Sequence, residues 1–285
     1  VYYNYYWVLQ DLFSDNAHSN LTSVDFQSVD NMKIDQYNAP VQYLWRDFYQ
    51  TIKACNIVID RIPPIDMDET LKKHLVAEAR FFRALMYFDL VRMFGDVPLH
   101  EHDQADDSQD NIPRTSKKEI YEKIIFNDLK IAEQDLKYDV RTGGGRPYAL
   151  SASALLARVY LTYAATYGHD AAYYQLAIDK ANEVIPHFPM LTEFEDLFKI
   201  KNRFNTEIIY GINFNGSLSQ GWSGGQFLVR LLPNVDKSNG GPDNAQGFES
   251  ATDNLYAAYG NSDKRKSVTL KREFLYNDGT VENLE

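Results

Sequence analysis

The chain has 285 residues, of which 44% are hydrophobic, and its formal net charge is -11. A chain of this length can bury a substantial core in one large domain or two. The negative charge argues against nucleic-acid binding, because affinity for a phosphate backbone comes largely from Lys and Arg. No apolar run reaches 18 residues, so we predict no membrane-spanning helix. The start at Val1, without initiator Met or cleavage site, indicates a mature or truncated chain.

From Tyr2 to about Leu197 the sequence predicts one helix after another, with connections marked by Pro or Gly. We therefore assign residues 1–197 to a helical, repeat-like scaffold. An early loop, Asp35 to Asn38, places an aromatic ring among polar side chains. The helix predicted from Val41 to Ile62 contains the only cysteine, Cys55. A buried apolar role suits this thiol better than a reactive one, since no His stands near it in sequence.

The most informative segment is the helix predicted from Leu75 to Phe94, which ends at Gly95-Asp96-Val97-Pro98. One apolar stripe contains Phe82 and follows the spacing i, i+3, i+4, i+7, and a second strip contains Phe81. The pattern predicts a helix covered on two sides. Truncating Phe82 to alanine is expected to cost about 3 to 5 kcal/mol.

Further helices follow in pairs. A helix from Ser116 to Leu136 begins with a capping signal, Ser116 with Glu119 three residues later. The pair Ser151 to Tyr167 and Ala172 to Pro186 has small and aromatic residues at the positions of a tetratricopeptide repeat. Stacked helix pairs of this kind form binding platforms far more often than active sites.

Three short segments carry residue types typical of chemistry but favour ordinary structural roles. His100 to Asp103 could ligate a metal, yet no third ligand stands at a defined spacing. Glu193, Glu195 and Asp196 could serve a glycosidase, but acids at a helix start are favourable for its dipole. Gly143 to Arg146 lacks the preceding strand and the Lys-Ser/Thr of a phosphate loop. We therefore predict no metal, no cofactor and no catalytic set.

After Leu197 the helical periodicity of the sequence ends. We assign residues 198–285 to a loop-rich region with short strands, within the same domain. Glu207 to Phe214 reads as a buried strand, and Val268 to Tyr276 as another. The turn Asn277-Asp278-Gly279 and a restart at Thr280 then predict a hairpin. The chain stops within this hairpin, so we expect further sequence beyond Glu285.

The irregular span from Asn215 to Gly247 contains the candidate ligand residue Trp222. Its neighbours are Gly, Ser and Gln, which cannot bury an indole cheaply by themselves. An aromatic face with amides close by suits a sugar, because the ring contacts C–H groups and the amides bond to hydroxyls. With the earlier loop, the predicted ligand-binding residues are Trp222, Tyr37, Asn38, Gln220 and Gln226. A loop aromatic tucked onto the scaffold is the alternative for each ring.

Six sequence blocks, in the correct order, resemble the SusD/RagB family. They are Tyr43, Trp45, Tyr49, Ile52, Asn56 and Ile59; Glu78 to Pro98; Arg114 to Ala132; Gly145 to Leu161 with Ala177 and Ala181; Leu197-Phe198 with Glu207 to Ile209; and Leu255, Tyr259, Asp263, Arg265 and Thr269. These blocks describe helix stacking. Their arginines, Arg80, Arg83 and Arg92, are therefore interpreted as packing and ion-pair residues.

The resemblance implies a mostly α protein, a tetratricopeptide-like scaffold of helical pairs with a loop-rich region of short strands. It also implies non-catalytic capture of oligosaccharide and delivery to a SusC-type TonB-dependent transporter. Members are surface-exposed outer-membrane lipoproteins, and because Cys55 lies in mid-helix, any lipid anchor would lie outside this chain. Two alternatives stay open: peptide capture in the RagB manner, and a tetratricopeptide-type scaffold that binds only a protein partner.

Overall fold

Helices make up most of the residues that the structure describes, and the strands among them are few and short, as the sequence predicts. The computed structural model describes residues 1–2, 5–103, 112–137, 145–214 and 247–270, together with the backbone of 273–275 and 281–283. Two compact units emerge from the contacts. The first contains Val1–Arg46, Thr192–Arg203 and Phe214–Glu285, and the second contains Asp47–Leu191 and Phe204–Asn213.

In chain order the elements are α1 (Tyr5–Leu12), β1 (Ala17–Ser19), α2 (Val24–Asp30), α3 (Ala39–Arg61), α4 (Glu69–Phe94), β2 (Val97–Pro98), β3 (Arg114–Thr115), α5 (Lys117–Ile120), a π-helical turn (Tyr121–Ile125), α6 (Phe126–Asp135), α7 (Ala149–Thr166), α8 (Ala171–Val184), β4 (Glu249–Ala251), α9 (Asp253–Ala258), α10 (Lys266–Thr269), β5 (Glu273–Leu275) and β6 (Val281–Asn283). Short 3-10 helices cover Ile185–His187, Phe194–Phe198 and Ile200–Asn202. Among the helices of the described ranges, none has the length and apolarity to cross a bilayer.

Helix α4 is the central element of the second unit. It begins at a side-chain cap, where Asp68 accepts from the Leu71 N–H, and it ends at Gly95, whose φ of +72° suits glycine. Between Ala77 and Val91 the helix is buried on nearly every side, as the two apolar strips predict. The strip with Phe81 is the deeper one, since Phe81 is 2% exposed. The cavity prediction at Phe82 is corrected accordingly, because that ring is only half-buried.

The helix predicted from Ser116 to Leu136 is present with its predicted cap, the Glu119 N–H donating to Ser116 Oγ at 3.2 Å. Its middle differs from the prediction, since Tyr121–Ile125 forms a π-helical turn between α5 and α6. This wider turn places the buried Tyr121 ring against Phe88 and Tyr163. The prediction assumed an uninterrupted α-helical period over this segment, and single-turn π-helices are rare exceptions to that period.

The predicted pair of helices corresponds to α7 and α8, which pack against each other. Leu156 and Ala177 are buried between small and aromatic neighbours. The turn between the helices uses Gly168 at φ +82°, and Asp170 caps α8 by accepting from the Ala172 N–H. The small residues of the repeat-like pattern therefore pack as expected.

The predicted strand from Glu207 to Phe214 is wrong, because this segment has no regular secondary structure. The part of this segment that belongs to the second unit, residues 207–213, packs against helices instead. The Tyr148 hydroxyl donates to the Ile209 carbonyl at 2.8 Å, and the Tyr210 ring lies edge-on to Phe81 with centroids 5.2 Å apart. Ile208, Ile212 and Phe214 are exposed, so the burial expected of this segment is also wrong, and only part of it packs on helices.

The first unit contains a two-stranded antiparallel sheet that joins distant parts of the chain. β1 pairs with β4, so that Ser19 lies opposite Glu249. Helices α1 and α2 pack on this pair, with Val8, Leu12 and Val29 buried. The C-terminal hairpin is also present, with β5 antiparallel to β6. Its first strand is shorter than predicted, since residues 266–269 are helical, and the predicted turn at 277–279 lies outside the described residues.

Candidate ligand-binding surface

The loop between α2 and α3 presents Tyr37 to solvent on a firmly held backbone. Its side chain is 73% exposed. The Tyr37 N–H donates to Asp35 Oδ1 at 2.8 Å, and Gln42 Nε2 donates to the Gln36 carbonyl at 2.8 Å. A short polar side chain that bonds the backbone two residues on is the usual way to fix such a turn. The ring is thus a prepositioned aromatic surface.

Asn38, by contrast, is 2% exposed and serves the start of α3. Its Oδ1 accepts from the Val41 N–H at 3.2 Å, which caps the helix. Its Nδ2 donates to the Asp25 carbonyl at 2.9 Å and to Ser28 Oγ at 3.0 Å. These bonds use both the oxygen and the nitrogen of the Asn38 amide within the protein. Asn38 therefore has little surface for a ligand, and its role is to hold the loop that carries Tyr37.

We expect Asn38→Ala to destabilise the protein by about 1 kcal/mol, since it removes a helix cap and leaves the Val41 N–H without its partner. Urea unfolding measures this loss. Asn38→Asp keeps the capping oxygen but loses the two bonds that Nδ2 donates, so we expect it to remain destabilised. An alanine variant with unchanged stability but weakened ligand binding would return Asn38 to the set of ligand contacts.

Trp222, Gln220 and Gln226 lie outside the described residues. Their grouping with Tyr37 on one face therefore stays a prediction. Tyr37 is the one predicted ring whose surroundings the structure describes. It offers an aromatic face, and the exposed Asp35, Gln36 and Gln42 beside it in the chain offer hydrogen-bonding groups. Ring and amide groups together can bind the C–H faces and hydroxyls of a sugar.

A buried ionic network in the second unit accounts for the predicted ion-pair residues. Asp128 is fully buried and accepts from Arg83 at 2.6 Å and 2.9 Å and from Arg80 at 2.5 Å. Arg83 also donates to Asn56 Oδ1 at 2.8 Å. Burial lowers the pKa of Arg83, but hydrogen bonds and the charge of Asp128 outweigh it, and the net direction is upward. Arg92 pairs with Asp89 in the same way. The interpretation of these arginines as structural is confirmed.

The same network fixes the segment from Pro98 to Asp103 through its backbone. Tyr49 Oη donates to the Pro98 carbonyl, and Arg83 donates to the Glu101 carbonyl, both at 2.8 Å. Asn56 Nδ2 reaches the His100 and His102 carbonyls. Tyr87 Oη accepts from the His100 N–H at 2.8 Å. All of these bonds use main-chain atoms of the segment, and two of its side chains add contacts of their own, Asp103 with Arg61 and His102 with Asp60. The Glu101 side chain is exposed and takes no part in these bonds.

The candidate chemical groups have ordinary surroundings. His102 Nδ1 lies 3.2 Å from Asp60 Oδ1, and across the described ranges no group of three His, Cys, Asp or Glu side chains is placed to hold a metal. Glu195 and Asp196 lie near Lys199 as exposed ion pairs. Burial raises the pKa of the Cys55 thiol to about 12, so this cysteine is protonated at neutral pH.

Comparison with known proteins gives a family match over more than half of the chain. A SusD-like family model, described as starch-binding and associating with the outer membrane, matches residues 2–161. The SusD-like protein P2 of Formosa agariphila is 30% identical over 270 residues, which are 91% of this chain and 51% of that protein. The chain therefore spans about half the length of this curated relative.

Solved structures share the fold. A SusD superfamily protein from Parabacteroides distasonis is 27% identical and superposes with a TM-score of 0.85, covering 98% of this chain and 61% of that one. A laminarin-binding SusD-like protein is 26% identical with a TM-score of 0.77, covering 88% of this chain and 57% of that one. The mostly helical architecture is thus shared along nearly the whole chain.

Proposed function

Because the chain belongs to the SusD-like family, we propose that it captures an oligosaccharide without cleaving it and delivers the ligand to a TonB-dependent outer-membrane transporter. The observation that carries this proposal is the family match over residues 2–161. The likeness to a laminarin-binding relative, at 26% identity, supports a glycan as the ligand. Affinity, and not turnover, is the activity to measure.

The carboxylates of the described residues support a non-catalytic role. Hydrolysis of a glycosidic bond needs two of them about 5 to 10 Å apart around the substrate, one as acid and one as base or nucleophile. The buried Asp128 and Glu78 are instead held by arginines, Asp128 by Arg80 and Arg83 and Glu78 by Arg146. Any turnover of a panel of plant, host and microbial glycans would contradict the proposal.

We propose Tyr37 as one stacking platform and Trp222 as a second, with the amides of Gln220 and Gln226 bonding to hydroxyls. Several modest contacts gathered in one place are the usual means of binding a neutral sugar. The support for Tyr37 is its 73% exposure on a hydrogen-bonded loop. The loop backbone is already held before binding, so only the side chain of Tyr37 has to be ordered, which lowers the entropic cost.

Removing the ring in Tyr37→Ala is expected to weaken glycan binding about 2- to 13-fold, because an aromatic stack contributes about 0.5 to 1.5 kcal/mol beyond its area. Calorimetric titration with laminari-, malto- and xyloglucan-oligosaccharides measures the change. Tyr37→Phe is the matched control, since it keeps the ring and removes only the hydroxyl. Unfolding stability is expected to stay the same, as an exposed ring fills no cavity. Equal affinity of the wild type and Tyr37→Ala for a bound glycan would exclude Tyr37 from the site.

The dependence of affinity on salt concentration distinguishes glycan capture from the alternative functions. Binding of a neutral glycan is insensitive to ionic strength, whereas a charged peptide, captured in the RagB manner, loses affinity as salt rises. A scaffold for a protein partner would bind neither. We further propose a surface-exposed lipoprotein whose lipid anchor lies outside this chain. A lipobox cysteine encoded upstream of Val1 and a SusC-type transporter gene beside this one would support that location.

A further inference from the structure

The β1–β4 sheet contains a buried carboxyl group with no hydrogen-bond partner in the described parts of the chain. Glu249 lies on β4 and is 8% exposed, and neither of its carboxylate oxygens has a partner. An ionised carboxylate in such a place loses its hydration without compensation, which is costly, whereas a neutral carboxyl group loses much less. The site therefore favours a bound proton.

The surrounding groups supply no positive charge to offset that cost. Asp11, on α1, carries the same sign as Glu249 and acts on it electrostatically. The other titratable groups on these elements and in the connections beside them are Tyr5, Tyr6, Asp15, His18, Asp25, Asp30 and Asp253. Of these only His18 can become a cation. It is the neighbour of Ser19 on β1, so its side chain points to the opposite face of the strand from Glu249's partner, and its Nδ1 lies 3.4 Å from Asp30 Oδ1.

The position of Glu249 couples its charge to a junction between distant segments. Around the strand pair, the Asn20 N–H donates to the Phe248 carbonyl at 2.9 Å, and the Thr252 N–H donates to the Asn16 carbonyl at 3.0 Å. These bonds and the pairs Ser19–Glu249 to Ala17–Ala251 hold residues 16–20 against residues 247–252. We call this junction the clasp.

We propose that the protonation state of Glu249 controls the clasp. The carboxyl group is neutral while β1 and β4 are paired, and its ionisation weakens that pairing. Burial, and then the charge of Asp11, raise the pKa of Glu249 from 4.5 to about 8. In the folded state the proton is thus held more tightly than in the unfolded chain. The stabilisation is fully present below about pH 4.5 and is lost as the pH rises through about 8.

Amide hydrogen exchange on the full chain tests the clasp. After correction for intrinsic exchange rates, we expect protection of the Asn20 and Thr252 amides, which donate across the clasp, to fall at least 10-fold between pH 5 and pH 9. In Glu249→Gln, which carries a neutral side chain of the same shape, we expect protection to be constant over this range. Glu195→Gln, at an exposed carboxylate of the same unit, is the matched control and should follow the wild type.

A second measurement uses only the wild-type protein, so that it does not depend on whether Glu249→Gln folds. The carboxyl carbon of Glu249, followed by NMR in the wild-type protein, is expected to titrate near pH 8. A midpoint at or below pH 5, or the same exchange profile in wild type and Glu249→Gln, would overturn the proposal. It would also be overturned if calcium chloride at pH 8 restored protection in the wild type alone, since a cation and not a proton would then satisfy the carboxylate.

Discussion

Replacing Asp128 with alanine is expected to destabilise the protein by about 3 to 5 kcal/mol, because it leaves buried guanidinium groups without their counter-charge. Asp128 accepts from both Arg83 and Arg80, and Arg83 is itself buried. Arg83 would keep its hydrogen bonds to Asn56 Oδ1 and to the Glu101 carbonyl, but its buried charge would lose its carboxylate partner. Chemical denaturation, monitored by circular dichroism, measures the loss.

Two further variants separate this cost from a general effect of losing a charge. Asp128→Asn keeps an acceptor of nearly the same shape but removes the charge, and we expect an intermediate loss. Glu119→Ala removes an exposed carboxylate that pairs with Lys123 and is expected to change stability little. If Asp128→Ala unfolded within 1 kcal/mol of the wild type, the ionic network would not be a main source of stability.

The second large effect is expected at Phe81, where truncation to alanine should cost about 3 to 5 kcal/mol by leaving a cavity. The Phe81 ring is 2% exposed and lies against Phe82 and Tyr210, at centroid distances of 5.6 Å and 5.2 Å. Loss of this ring also removes the surface against which Tyr210 packs. Urea unfolding measures the loss of stability.

Phe82→Ala is the matched comparison, since it is the same substitution one position along the same helix. Its ring is half-buried, so we expect a clearly smaller loss than at Phe81. Equal losses at the two positions would mean that Phe82 is as deeply packed as the original apolar stripe suggested. A larger loss at Phe82 would contradict the described packing of α4.

The helices were predictable because their signals are local. Apolar spacing located α4, α7 and α8, and the Ser116–Glu119 signal located the start of α5. The errors concern structure that depends on distant residues. The segment from Glu207 to Phe214 has the apolar composition of a buried strand, yet its Tyr210 packs against Phe81 of α4. The β1–β4 pairing joins three-residue strands about 230 residues apart, and so short a pattern carries no signal of its partner.

The candidate site was predictable only in part, and for a similar reason. Tyr37 and Asn38 are adjacent polar-loop residues, yet one is exposed and the other buried. A signal for Asn38 was available, because Asn before Ala39-Pro40 is typical of a helix cap followed by an early proline. The exposure of Tyr37 follows from how the cap turns the loop, which composition alone does not reveal.

The way in which the segment from Pro98 to Asp103 is fastened has an evolutionary consequence. Tyr49, Asn56, Arg83 and Tyr87 bond to main-chain groups of the segment. Every amino acid supplies the carbonyl, and every one but proline supplies the N–H. Mutation of the exposed Glu101 therefore changes the side chain that the segment presents to solvent but leaves its backbone conformation in place. Selection can change exposed side chains of this segment while the hydrogen bonds to its main chain are kept. A single scaffold can therefore present different surfaces in different descendants.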